Sequence, residues 1–138
     1  MSQVSFQKNS REVNQSGIQV VLENAFKELV EDDLFKAIYL FSEDGLPLAL
    51  YSKDGTLNPA QSTELSTLMH KLVHLFDKKN ISNAREIVVE NEGAEKLVFR
   101  FFAFFGTAVA LIVQVPAKKS YRGLVNQLEN LIHKLEKR

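Results

Sequence analysis

The chain has 138 residues, 45% of them hydrophobic, and its 17 Lys+Arg balance its 17 Asp+Glu, so the formal net charge is zero. That length fits one domain with an ordinary core, and the charge balance excludes a global attraction to nucleic acid or to anionic lipid. Cys is absent, which excludes a disulfide framework and thiolate chemistry and fits a reducing, cytoplasmic setting.

Residues 1–16 are rich in Ser, Asn and Gln, show no apolar period and lack the apolar core of a signal peptide. They read as a flexible polar leader, with the domain proper at 17–138. Ser16 is placed to cap a helix starting near Gly17. Ile18, Val21, Leu22, Ala25 and Leu29 then follow one helical face. Ala37 to Phe41 is a continuous apolar run, the pattern of a strand covered on both faces. Glu43-Asp44-Gly45 is a hairpin turn signal. LPLALYS is the returning strand, with Leu46, Leu48 and Leu50 on one face and Pro47 marking a sheet edge.

Asn58-Pro59 opens a second helix, with an N-cap residue before Pro at the first helical position. Leu65, Leu68, Met69, Leu72, Val73 and Phe76 form its stripe. Arg85 to Asn91 is a third strand centred on Ile87-Val88-Val89. It lies at the edge opposite Pro47, with no Pro or Lys to block its free backbone groups. Two copies pairing there would extend the sheet across a two-fold axis.

LVFRFFAFFGTAVALIVQV, residues 97–115, is long enough to cross a bilayer. Arg100, Gln114 and the central Gly106-Thr107 argue against a span. They divide it into two strand-length pieces rich in Phe and Val, a hairpin turning at Gly106. Leu124, Val125, Leu128, Leu131, Ile132 and Leu135 mark a final helix from about Ser120, whose end is basic at Lys134, Lys137 and Arg138. The expected fold is thus α/β, order α-β-β-α-β-β-β-α. Its five-stranded antiparallel sheet lies between helices in three layers, with no insertion into membrane.

Chemistry-bearing patterns are sparse. His70 and His74 have ligand spacing on one helix turn, but His133 is the only other His and a site needs three or four ligands, so no metal is expected. Glu31-Asp32-Asp33 and Glu43-Asp44 read as solvated turn acids. There is no GxSxG, P-loop or GxGxxG, so neither catalysis nor a nucleotide cofactor is expected. Lys118-Lys119-Ser120-Tyr121-Arg122, the one basic cluster, reads as the entry to the last helix rather than a nucleic-acid site.

In order and spacing, AIYLFSEDGLPLALYS, REIVVENEG and ALIVQVPAKKSYRGLVNQLENLI resemble the roadblock family, the dynein light chains of roadblock type, from about residue 17 to the end. FRFFAFF is more aromatic than the family pattern. The resemblance implies an α/β sandwich without catalysis of its own that homodimerises through the third strand and second helix. Leu68, Leu72, Leu75, Glu86, Ile87, Val88 and Val89 are then the candidate interface. It also implies a small Ras-like GTPase as partner, bound as a scaffold or regulator; gliding-motility members stimulate GTP hydrolysis. The outer face of the second helix, with His70, Lys71 and His74, is the candidate GTPase surface. The alternatives are a pure assembly subunit that leaves hydrolysis unchanged, and a small-molecule sensor.

Overall fold

The computed structural model describes residues 3–54, 64–65, 67–69, 71–72, 74–75 and 85–137, with side chains described from Gly17 onward. Helix α1 spans Gln3–Glu31, β1 Ala37–Ser42 and β2 Pro47–Ser52. Helix α2 has its described residues within 64–75. Strands β3, β4 and β5 are Glu86–Glu90, Lys96–Phe104 and Thr107–Val115, and α3 is Arg122–Lys134, extended by a 3-10 turn at Leu135–Lys137.

The strands form one sheet in the order β2-β1-β5-β4-β3, antiparallel at every junction. The run at 97–115 supplies β4 and β5, the two longest strands. They turn at Phe105-Gly106, both at positive φ, 52° and 75°. Left-handed values at both central residues are what a two-residue hairpin loop needs to match strand twist. Among the described residues no helix is long and apolar enough to cross a membrane.

Side-chain alternation sends two apolar faces in opposite directions. On one, Val98, Leu111 and Val113 pack with Leu22, Phe26 and Val30 of α1 and with Val125, Leu128 and Ile132 of α3. On the other, Phe99, Ala110 and Ile112 pack with Met69 and Leu65 of α2. Helices therefore cover both faces of the sheet, in three layers.

Two local expectations are corrected. Helix α1 begins at Gln3, not near Gly17, so the capping position expected at Ser16 lies inside it. Its core stripe holds Leu22, with Ile18 and Leu29 packed against the core as expected, but adds Phe26 and Val30, while Val21 is exposed. Phe26 takes the inward place rather than Val21, and an aromatic ring brings more apolar area to the sheet. The N-cap at Asn58-Pro59 and the stripe positions Val73 and Phe76 lie outside the described residues.

Candidate interaction surface

The two sheet edges are treated differently. In the β1–β2 pair, Leu50 turns its N–H away from β1, and Glu23 Oε2 of α1 accepts it at 2.9 Å. Pro47 has no N–H to offer. The β2 edge is therefore closed by a side chain, a proline and the α1 helix.

The β3 edge is open. Phe101 N–H donates to Arg85 O and Asn91 N–H to Glu95 O, which fixes the parity of the β3–β4 ladder. Arg85, Ile87, Val89 and Asn91 turn their backbone groups toward β4. Glu86, Val88 and Glu90 turn theirs outward, where they have no backbone partner among the described residues. Such a row is a template for another strand.

Apolar side chains are exposed on β3 and on α2. Val89 is 52% exposed and Val88 38%, and on α2 Leu68 is 42% and Leu75 47% exposed. Ile87, Phe99, Leu65 and Met69 belong to one cluster, so α2 covers the face of β3 that carries Ile87 and Val89. Seven residues separate Leu68 from Leu75, which leaves them about 20° apart around the helix, on the flank of the side that packs on the sheet. Leu72 is half-buried on the same side. Lys71 and His74 are exposed, and helical geometry turns them about 140° and 160° from the packed side. His70 lies outside the described residues.

On the opposite face, beside the same edge, lies a polar cluster that the sequence patterns did not single out. Arg100 of β4 is 8% exposed. Its Nε and Nη2 donate to Glu86 Oε1 at 3.1 and 2.5 Å, and its Nη1 donates to Asn126 Oδ1 of α3 at 2.5 Å. Glu129 Oε1 lies 3.6 Å from the same Nη1, and Tyr121 O–H donates to Glu86 Oε2 at 3.3 Å. Arg85, Glu86, Arg100, Asn126, Glu129 and Asn130 line an open cleft of about 500 Å³.

The cluster continues along α3. His133 Nε2 is 3.3 Å from Glu129 Oε2 and its Nδ1 is 2.6 Å from Glu136 Oε1. Glu136 Oε2 accepts the N–H of Phe105 at 3.0 Å. Hydrogen bonding to Glu136 raises the His133 pKa, with Glu129 adding to it and burial opposing it. The same bond to His133 lowers that of Glu136, helped by the Phe105 N–H. Arg100, the charge that interrupts the apolar run of residues 97–115, was the available signal for this cluster. Among the described residues no group of three or more His, Cys, Asp or Glu has metal-binding geometry.

A five-stranded antiparallel sheet with α1 and α3 on one face, α2 on the other and one free edge defines a three-layer α/β architecture. No family model and no curated protein matches the chain. Solved structures do. The chain is similar to Myxococcus xanthus MglB (TM-score 0.62, 16% identity, covering 89% of this chain and 87% of that one). It is similar also to a Roadblock/LC7 domain from Streptomyces avermitilis (TM-score 0.61, 19% identity, 82% and 92%). A third is the gliding protein mglB of Thermus thermophilus (TM-score 0.59, 14% identity, 84% and 85%). The chain has the roadblock fold.

Proposed function

We propose that this chain is a homodimeric, non-catalytic module of the cytoplasm that engages a small Ras-like GTPase and regulates its nucleotide cycle. The open β3 edge is the observation that carries the reading. Glu86, Val88 and Glu90 present backbone groups outward, and Val88, Val89, Leu68 and Leu75 are exposed apolar side chains on β3 and α2. A second copy covers both features at once by continuing the sheet and packing α2 beside its counterpart. Leu68, Leu72, Leu75, Glu86, Ile87, Val88 and Val89 form that interface. Lys71, His74 and His70 belong to the paired outer face offered to the GTPase. The likeness in fold to MglB structures supports a regulator.

Two measurements test this. Sedimentation of the wild-type chain should give a dimer mass at micromolar concentration, and Val88→Pro should give a folded monomer. The Val88 N–H points outward, so Pro there costs no β3–β4 bond. Affinity capture from source-cell lysate with GDP, and separately with a non-hydrolysable GTP analogue, should retain a small GTPase in one nucleotide state. Its hydrolysis rate should change when the chain is added. An unchanged rate with the GTPase still bound would make the protein an assembly subunit.

A further inference from the structure

We infer that two copies pair β3 to β3 in the register that sets Val88 against Val88 of the second copy, and that Arg85 and Arg100 of each copy receive Glu90 of the other. This rests on the homodimer reading and adds to it the register and the residues that select it.

Among the described residues of β3, Glu86, Val88 and Glu90 present outward backbone groups. An antiparallel two-fold pairing must match outward groups with outward groups. Centring on Val88 does so for all three: Val88 meets Val88, and Glu86 meets Glu90 twice, each pair exchanging two hydrogen bonds. Centring on Ile87 or Val89 leaves one outward residue of each strand without a partner among the described outward residues of the other.

The Val88 register places Glu86 opposite Glu90 of the second copy, and like charges directly opposite are destabilising. The monomer already compensates both acids from β4. Arg100 holds Glu86, and Lys96 Nζ is 3.5 Å from Glu90 Oε1. All four side chains lie on the α3 face, because Glu86 pairs with Arg100 and Glu90 with Lys96 across the ladder. Glu90 keeps 56% of its side chain exposed, so it is free to reach across.

Arg85 supplies the attraction. It is exposed and has no ion pair among the described residues. It lines the same cleft as Glu86, Arg100 and Glu129. Pairing about Val88 carries Glu90 of the second copy, with its Lys96, to the mouth of that cleft. There Arg85, Arg100 and the incoming Lys96 balance Glu86, Glu129 and the incoming Glu90. The cleft is charge-balanced in the dimer and completed by a residue of the other copy.

The absence of Cys makes single-cysteine variants free of background. Under mild oxidation Val88→Cys should form a covalent dimer at least about tenfold faster than Ile87→Cys or Val89→Cys. Directly opposed Cα atoms lie within disulfide reach, whereas residues two positions off register do not. Arg85→Glu and Glu90→Arg should each weaken dimerisation about tenfold, and the double variant should return to within about threefold of wild type. Faster cross-linking at Ile87 or Val89, or a double variant no better than the singles, overturns this register while leaving the homodimer standing. A wild-type chain that sediments as a monomer overturns both.

Discussion

Arg100 and Glu86 face each other across the β3–β4 ladder, with two guanidinium nitrogens on a single carboxylate oxygen at 3.1 and 2.5 Å. The pair ties the free edge strand to the sheet interior, and through Asn126 and Glu129 it ties that edge to α3. Removing one partner of a nearly buried pair leaves an uncompensated charge. Arg100→Met should therefore lower the unfolding free energy by about 2–4 kcal/mol, read by urea denaturation. Adding Glu86→Gln to that variant should recover a substantial part of the loss, because the stranded carboxylate is gone.

His133 makes part of the stability of α3 depend on pH. Its folded pKa is raised by the bond to Glu136 and then by Glu129. Its contribution is therefore complete below the ordinary histidine value, about 6.5, and is lost as pH rises through the raised folded value. Glu136 works in the opposite sense. Its folded pKa is lowered by His133 and by the Phe105 N–H. Its contribution is present above the ordinary carboxylate range and is lost as pH falls through the lowered value. The groups facing the imidazole are Glu129, Glu136 and the Phe102 ring, whose centroid lies 5.1 Å away. Lys137 acts on Glu136 and Arg100 on Glu129. Chemical denaturation across pH 5 to 9 should show wild type losing stability above neutrality, and His133→Gln should flatten that limb. A limb equally steep in the variant would assign the dependence to other groups.

Much of the fold was legible because its signals are local. Gly45 at φ 81° fills the turn that Asp44-Gly45 announces, Pro47 does lie on an edge strand, and Gly106 does divide the long apolar run. In α1, Ile18, Leu22 and Leu29 pack as their spacing indicates, but Val21 does not, because periodicity counts apolar positions equally, whereas packing favours the Phe26 ring. The start of α1 was missed because residues 3–16 carry no apolar period, and helical hydrogen bonding does not require one. The Arg100 cluster was illegible for another reason. Its partners Glu86 and Asn126 stand 14 and 26 residues away, and no local pattern joins positions that only the sheet and α3 bring together.

The closed β2 edge makes its own prediction. Glu23 Oε2 is the acceptor for the outward N–H of Leu50. Glu23→Ala leaves that amide to water and should cost about 1 kcal/mol, while Glu23→Gln, which keeps an acceptor at the same reach, should cost less than half of that. Amide exchange at Leu50 should quicken in the Ala variant and stay near wild type in the Gln variant. Equal exchange in all three would mean that α1 packing, not the carboxylate, protects this edge.

Phe105 is the residue that local rules would not choose. It sits at φ 52° in the β4–β5 turn with half of its surface exposed, and a bulky side chain in the left-handed region is strained. Its compensation is the edge-on contact with Phe104, with ring centroids 4.7 Å apart, and the N–H bond to Glu136. Phe105→Asn keeps that N–H and supplies a residue that tolerates the conformation, giving the Asn-Gly pair favoured in such turns. It should stabilise the chain by about 1 kcal/mol, a rise in Tm of about 4 °C. Gly106→Ala is the matching control. No atom lies within 4 Å of the added Cβ, so its expected loss of about 1 kcal/mol is the conformational cost of Ala at positive φ. If Phe105→Asn instead lowers Tm, the Phe104 contact outweighs the backbone strain, and the aromatic tip is held in place by its neighbour.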